Sequence, residues 1–190
     1  MILSPDNPFE IFIALSWVVF FVVWAVSAFF VKRTVERSMG WGRLLVIVVG
    51  IMVFGTTLRS GGMWRPLWPR TAPVGALAAL LTAAGLAVAV WARFVLGGNW
   101  SGTIAFKENH ELITRGPYAR VRHPIYSGLL LMVLGTAVES ARPRGFVMLA
   151  FVFVTLAIKA RLEEAFMIRH FPEAYPQYRH RVKALIPGVW

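Results

Sequence analysis

The sequence predicts an all-α, polytopic integral membrane protein with about five transmembrane helices, a cytoplasmic loop and a C-terminal tail. Three observations lead to this fold class. The 190 residues are 57% hydrophobic, and the mean hydropathy of +0.63 exceeds that of ordinary soluble domains. Apolar segments recur at lengths near the roughly 20 residues that cross a bilayer. Positive charges are concentrated in alternate connections between those segments.

The apolar segments lie near residues 9–31, 44–58, 74–96, 125–141 and 145–160. The second, fourth and fifth are short for a full span, so one of them could cross part of the bilayer or form half of a tight hairpin. The helical pattern of the last segment continues through charged residues to His170.

Small residues recur every four positions in the third segment and predict a face on which another helix packs closely. They are Gly75, Ala79, Ala83 and Ala87.

The net charge of +11 could indicate nucleic-acid binding in a soluble protein, but its distribution fits a membrane protein. Fourteen Lys and Arg residues lie in the first connection, the third connection and the tail, and only five lie in the alternate loops. The positive-inside rule therefore predicts an external N-terminus and a cytoplasmic C-terminus. We expect membrane lipids as neighbours and no nucleic-acid partner.

One domain is expected over residues 1–190, with N-terminal transmembrane helices in 1–95 and the cofactor-binding and catalytic region in 96–190. The loops rich in Gly and Pro are too short to form a separate domain. Cysteine is absent, which excludes disulfides, a thiolate nucleophile and a Cys-based metal site. No basic region precedes the first apolar segment, so a cleaved signal peptide is not expected. The absence of cysteine and of a targeting motif favours a prokaryotic inner membrane.

The third connection is the most informative region for function. Residues 97–126 are too polar to cross lipid and should fold over the cytoplasmic face, with short extended pieces at 103–106 and 111–113. Pro124 suits the first turn of the next helix, because that position leaves its N–H unpaired anyway. This would place His123 at the helix N-terminus. Glu163 and Glu164 reach the same side from the last helix, so we expect a single site.

Familiar cofactor motifs are absent, including the glycine fingerprints of dinucleotide and phosphate sites and the H-E-x-x-H zinc motif. The four histidines are too scattered for a recognisable metal set, so we assign no metal. From composition alone, the charged groups could either grip a polar ligand or form ion pairs with each other and with lipid phosphates.

Three motifs together resemble the isoprenylcysteine carboxyl methyltransferase family, whose wider relatives include membrane phospholipid N-methyltransferases. They are H-E-L-I-T-R-G-P-Y at 110–118, R-H-P-I-Y-S-G at 122–128, and the Glu163-Glu164 pair followed by F-P-E-A-Y-P-Q-Y at 171–178. The resemblance covers roughly residues 96–187. Pro172 departs from the family, whose members usually have Gly after this Phe.

The resemblance implies an S-adenosylmethionine-dependent methyltransferase whose pocket is formed by the cytoplasmic loop, the last two helices and the tail, without a Rossmann domain. The cofactor contacts carried over by position are His110, Leu112, Ile113, Tyr118, Arg122, His123, Pro124, Tyr126, Glu163 and Glu164. The family also places a substrate-facing arginine before the acidic pair, a role for Arg161 or for Lys159. Arg161, Glu163 and Glu164 are thus the candidate catalytic residues.

Methyl transfer is an in-line displacement that needs an acceptor lone pair near 3–3.5 Å from the methyl carbon and no metal. A membrane site implies a lipophilic acceptor, isoprenoid- or lipid-like, that enters from the bilayer. A carboxylate or thiolate would need no general base, whereas an amine would have to lose a proton, to Glu163 or a histidine.

Two other functions stay open at this point. One is an NADPH-dependent membrane reductase of the sterol-reductase type, whose C-terminal region is similar. The other is a non-enzymatic scaffold whose charged loops bind anionic lipid. The His-Pro-x-Tyr block followed by Glu-Glu favours methyl transfer.

Overall fold

The computed structural model describes residues 7–37 and 65–188. Within them the chain is mostly helical, as predicted. The helices are α1 (Pro8–Ser27), α2 (Ala72–Leu96), α3 (Pro124–Ser140), α4 (Pro143–His170) and α5 (Ala174–Arg181), and two short strands are β1 (Thr34–Arg37) and β2 (Ala105–Lys107). The predicted span near 44–58 lies outside the described residues.

Three described stretches are long and apolar enough to cross a membrane: Pro8–Phe30, Ala72–Asn99 and Pro143–His170. They expose large apolar side chains, among them Phe21, Leu80 and Val154, which an apolar surrounding stabilises. α3 is shorter, at 17 residues or about 25 Å. The chain is an integral membrane protein, and α4 continues to His170 as its helical pattern predicted.

A proline in the first turn starts each of the four long helices, where its missing N–H breaks no helical hydrogen bond. In α1 the Asn7 side chain also accepts a hydrogen bond from the Phe9 N–H at 3.0 Å. Pro124 begins α3 with His123 as its N-cap, so the prediction for this helix start is confirmed.

α2 and α3 pack closely because glycines remove side chains from their interface. A Cβ added at Gly85 would lie 2.5 Å from the Gly128 carbonyl oxygen, and one added at Gly135 would meet Thr82. The buried face of α2 contains Ala78, Thr82, Gly85 and Ala89. The predicted stripe is therefore wrong beyond Gly75: Ala79 and Ala83 are half-buried, and Ala87 is exposed.

The two strands form an antiparallel ribbon in which Thr34 faces Lys107 and Glu36 faces Phe106. The extended piece predicted at 103–106 corresponds to β2, which begins two residues later and ends one residue later. The piece predicted at 111–113 is not a strand, because the partner of β2 comes from the first connection of the chain. That pairing is long-range, and neither sequence segment signals it.

The C-terminal tail runs beside the R-H-P motif. Val121 and Lys183 form a parallel bridge, and the backbone N–H groups of Arg122 and His123 donate to the carbonyls of Lys183 at 2.8 Å and Ala184 at 3.0 Å. The tail thereby holds the start of α3.

Candidate active site

A cavity of about 490 Å³ lies where α3 begins and where α4 carries its charged residues. This volume is within the range of small-molecule sites. The loop between α2 and α3 and the charged part of α4 line its polar side. Phe20 and Trp24 of α1, Leu129 of α3 and Leu156 of α4 line an apolar side. The cavity is therefore amphiphilic.

The structure brings eight of the sequence-predicted site residues to the cavity wall. They are His110, Leu112, Ile113, Tyr118, Arg122, His123, Tyr126 and Glu163. Pro124 and Glu164 are buried and Arg161 is exposed, and none of these three is among the lining residues. Lys159, the alternative to Arg161, does line the cavity.

Glu164 lies behind the wall, only 6% exposed. Its Oε1 accepts a hydrogen bond from Arg122 Nε at 2.8 Å and lies 2.7 Å from Arg122 Nη2 and 3.1 Å from His123 Nε2. Its Oε2 lies 3.3 Å from Arg179 Nε. The carboxylate thus compensates the charge of side chains that face the cavity, and its own oxygens are already bonded.

Glu163 is the neighbouring carboxylate, and it faces the cavity. Tyr126 donates its hydroxyl to Glu163 Oε1 at 2.7 Å. His123 Nδ1 lies 3.6 Å from Oε2, and Lys159 Nζ lies 3.8 Å from Oε1. The His123 and Tyr126 rings are parallel within 2° at a centroid distance of 5.3 Å. The Glu163 carboxylate, the Lys159 ammonium and the parallel rings of His123 and Tyr126 therefore lie close together at the cavity.

Two tyrosines connect the cavity to the tail. Tyr178 donates its hydroxyl to the Tyr118 carbonyl at 2.6 Å, and Tyr118 donates to the Ala92 carbonyl at 3.4 Å. Burial raises the pKa of both phenols. Both are neutral at physiological pH and act as hydrogen-bond donors to backbone.

His110 presents a neutral ring to the cavity. The Lys107 backbone N–H donates to its Nδ1 at 3.3 Å. Burial, followed by the nearby charges of Lys32, His170 and Lys107, lowers the pKa of His110 to about 4. The ring therefore carries no charge at pH 7. No group of three or more His, Asp and Glu within residues 7–37 and 65–188 is arranged to hold a metal ion.

Sequence reasoning missed Phe20 and Trp24 of α1, and it named no individual side chain within residues 99–105 of the loop that it assigned to the pocket. Trp100 follows directly on the Gly97–Asn99 turn and lines the cavity, although tryptophan near a span end usually indicates an interfacial anchor. Trp24 meets Trp100 edge-on at 6.4 Å, and the buried Arg93 guanidinium lies 4.6 Å from the Trp100 ring centre. The available signal was the position of Trp100 within the stretch 96–187 that resembles the family, ten residues before its first motif.

The model of the phospholipid methyltransferase family matches residues 74–174, more than half of the chain. The chain belongs to this phospholipid methyltransferase family. The matched segment contains nearly all of α2, the loop between α2 and α3, and the whole of α3 and α4, and the resemblance inferred from the motifs is confirmed.

The chain is also similar to proteins that carry different names. The chain is 30% identical over 158 residues to the cobalt-zinc-cadmium resistance protein CzcN of Cupriavidus metallidurans, covering 82% of this chain and 66% of the relative. It is 34% identical over 96 residues to the protein-S-isoprenylcysteine O-methyltransferase of Schizosaccharomyces pombe, covering 49% and 41%. The chain thus spans between two fifths and two thirds of these relatives.

Among solved structures, the chain is similar to a eukaryotic intramembrane Ras methyltransferase, isoprenylcysteine carboxyl methyltransferase. The TM-score is 0.51 at 20% identity, over 80% of this chain and 54% of that one. This likeness supports the polytopic membrane fold.

Proposed function

We propose that this protein is an S-adenosylmethionine-dependent membrane methyltransferase that acts on a lipophilic acceptor. The observation that carries the proposal is the amphiphilic cavity, which is lined by eight residues of the family motifs, six of them polar, together with apolar side chains of α1, α3 and α4. Membership of a methyltransferase family supports the reaction class.

The polar side fits the chemical groups of S-adenosylmethionine, which would supply an activated methyl group on a sulfonium cation. Glu163 can accept hydrogen bonds from an ammonium or from ribose hydroxyls. Arg122 uses four of its five N–H groups on Glu164 and on the carbonyls of Arg179 and Val182, which leaves one for a ligand carboxylate. The rings of Tyr126 and Trp100 offer surfaces for a purine or a sulfonium.

In this proposal Glu164 is a positioning residue, because it orients Arg122 and His123 from behind the wall. Pro124 acts similarly through the backbone by starting α3 directly after His123. Lys159 takes the substrate-facing role instead of Arg161, since Lys159 lines the cavity and Arg161 does not.

The acceptor follows from the apolar side. Phe20, Leu129 and Leu156 would surround a lipid-like tail, and Lys159 would attract an anionic head to the boundary with the polar side. We propose a carboxylate or thiolate, which is already deprotonated near neutral pH. An amine would require a base, and Glu163 is the carboxylate that reaches the cavity from α4. Tyr118 and Tyr178 are unsuited because burial raises the pKa of each phenol.

The binding test is calorimetric titration of detergent-solubilised protein with S-adenosylhomocysteine, with NADPH as the comparison ligand. We expect micromolar affinity for S-adenosylhomocysteine and none for NADPH. Folded protein that binds neither ligand would contradict the proposal, and binding of NADPH alone would favour a reductase. A labelled methyl donor offered with prenylated carboxylates, thiols and amines would then identify the acceptor.

We further propose a prokaryotic inner membrane, an external N-terminus and a cytoplasmic cavity, on the basis of the charge distribution. The chain has no cysteine, so introduced thiols report orientation without background. Exposed positions exist on both sides, Glu173 next to α5 and Arg65 before α2. A membrane-impermeant maleimide added to intact cells should label Arg65→Cys and spare Glu173→Cys. Labelling of Glu173→Cys and not of Arg65→Cys would show that the orientation is opposite to the proposed one.

A further inference from the structure

The first cytoplasmic connection contributes to the candidate cofactor site, although it lies outside the segment 74–174 that matches the family. We infer that Lys32 and Glu36 are positioning residues that hold His110 in the cavity wall. The inference depends on the proposed function, since it takes His110 as a cofactor contact. Two separate sets of contacts support it.

The first set begins at Lys32. Its ammonium donates to the Asn109 carbonyl at 2.8 Å and to Asn99 Oδ1 at 3.1 Å. Asn109 immediately precedes His110 and has a φ of 48°, in the left-handed region that Asn tolerates better than most residues. Lys32 therefore fixes the turn that presents His110 and connects it to the end of α2.

The second set begins at Glu36 in β1. Its Oε2 lies 3.1 Å from His170 Nε2, while His170 Nδ1 donates to the Phe166 carbonyl at 2.9 Å. With both nitrogens engaged, the His170 ring is held in orientation. It stacks on Phe106 at 4.1 Å, and Phe106 stacks on His110 at 4.9 Å, each pair tilted by 20°. A stack of three rings therefore leads from Glu36 to the cavity wall.

The ribbon register explains why these contacts coincide. Glu36 pairs with Phe106, the middle ring of the stack, and the Glu108 N–H donates to the Arg33 carbonyl at 2.9 Å. Lys32 and Glu36 thus come from the segment that pairs with residues 105–108, and both sets of contacts end at His110.

The test compares affinities of the full-length protein for S-adenosylhomocysteine and S-adenosylmethionine. We expect Lys32→Met to weaken both about tenfold, through the loss of charge-assisted hydrogen bonds. Glu36→Gln should weaken both about threefold, because the Glu36 side chain that contacts His170 is half exposed. The matched controls are Arg33→Met and Glu108→Gln, which remove the same charges from neighbouring exposed side chains and should leave both affinities unchanged.

The use of two ligands separates positioning from simple electrostatics. S-adenosylmethionine carries one more positive charge than S-adenosylhomocysteine, so loss of the Lys32 charge alone would tighten its binding. Positioning predicts weaker binding of both ligands. Lys32→Arg, which keeps a donor and the charge, should recover part of the affinity.

A double variant identifies the residue through which Lys32 acts. In a His110→Gln background, Lys32→Met should cause no further loss of affinity. An additive loss, or an equal loss in the controls, would overturn the inference. Wild-type protein that fails to bind either ligand would instead contradict the proposed function, and wild-type binding with unaffected Lys32→Met and Glu36→Gln variants would contradict the positioning role alone.

Discussion

A buried carboxylate–guanidinium cluster lies at each end of α3, and only one of the two borders the cavity. At the start of α3, Glu164 contacts Arg122 at 2.7 Å and His123 at 3.1 Å. At its end, Glu139 contacts Arg70 at 2.9 Å and accepts a hydrogen bond from Asn7. The two clusters are separated by about 24 Å along the helix.

The two clusters differ in the further contacts that the partners of each carboxylate make. Arg122 and His123 also line the cavity, and Glu163 beside them faces it. The side chains around Glu139 contact one another, and Arg70 also contacts Glu10 at 2.5 Å. None of these side chains lines the cavity. That second cluster joins α1, α3 and the residues before α2. A buried ion pair therefore indicates a site only when its members retain bonding capacity toward a cavity.

The strongest test of this comparison substitutes both buried carboxylates. Glu164→Gln leaves the buried Arg122 guanidinium without its counter-charge, so it should lower the free energy of unfolding by about 3 kcal/mol. Glu139→Gln leaves Arg70 its ion pair with Glu10, so it should lower the free energy of unfolding by only about 1 kcal/mol. Only Glu164→Gln should weaken S-adenosylhomocysteine binding, by about thirtyfold or more, because its partners Arg122 and His123 line the cavity and those of Glu139 do not. Calorimetry and thermal unfolding of both variants measure the two effects. Equal affinity losses would show that the clusters do not differ in function.

The local parts of this arrangement could be predicted from the sequence. Pro124, the adjacent Arg122 and His123, and the Glu163-Glu164 pair predicted one polar site at the start of α3. The sequence did not predict that Glu164 lies behind the cavity wall or that Trp24 lies within it, because the rotation of a helix about its axis and long-range packing determine these positions. The ribbon was missed for the same reason: nothing in residues 34–37 indicates β2 as a partner. In the sequence, Glu139 and Arg70 resemble ordinary charges at the ends of spans, and only the structure shows their contact with each other and that of Glu139 with Asn7.

A smaller effect should separate two cations on α4. Lys159 lines the cavity and Arg161 is exposed elsewhere on the helix, because residues two apart point in different directions. We expect Lys159→Met to raise the acceptor KM about fivefold, since one exposed charge interaction with an anionic head is lost. Arg161→Met should change it less than twofold. A larger effect of Arg161→Met would return the substrate-facing role to that residue.

The hydroxyl groups of two side chains, one near each end of α3, give a finer comparison. Tyr126→Phe removes the 2.7 Å bond to Glu163 and keeps the ring, whereas Thr136→Val removes the 3.0 Å bond from Trp17 Nε1 and the 2.9 Å bond to the Met132 carbonyl. Each loss is worth about 1 kcal/mol. For Tyr126→Phe it should also reduce kcat/KM about fivefold, measured with a labelled methyl donor, because Glu163 loses its orienting partner. Reduced kcat/KM in Thr136→Val would show that activity follows helix stability alone.

The last comparison concerns pH and the cavity end alone, where burial lowers the pKa of His110 from 6.5 to about 4. Below pH 6.5 the unfolded chain takes up a proton on this histidine that the folded chain does not. The contribution of His110 to stability therefore falls as the pH drops from 6.5 to 4, and is constant above 6.5. Its slope is at most about 1.4 kcal/mol per pH unit.

Unfolding curves of wild type and His110→Gln between pH 4 and 8 measure this contribution as a difference, with the exposed His180→Gln as the matched control. The wild type should lose more stability than His110→Gln below pH 6.5, and His180→Gln should behave like wild type. S-adenosylhomocysteine binding should show no titration of His110 between pH 5.5 and 8, because the ring stays neutral throughout. A titration of His110 near pH 6.5 in the folded protein would mean that the ring is open to water, and that the stack from Glu36 does not hold it in the wall.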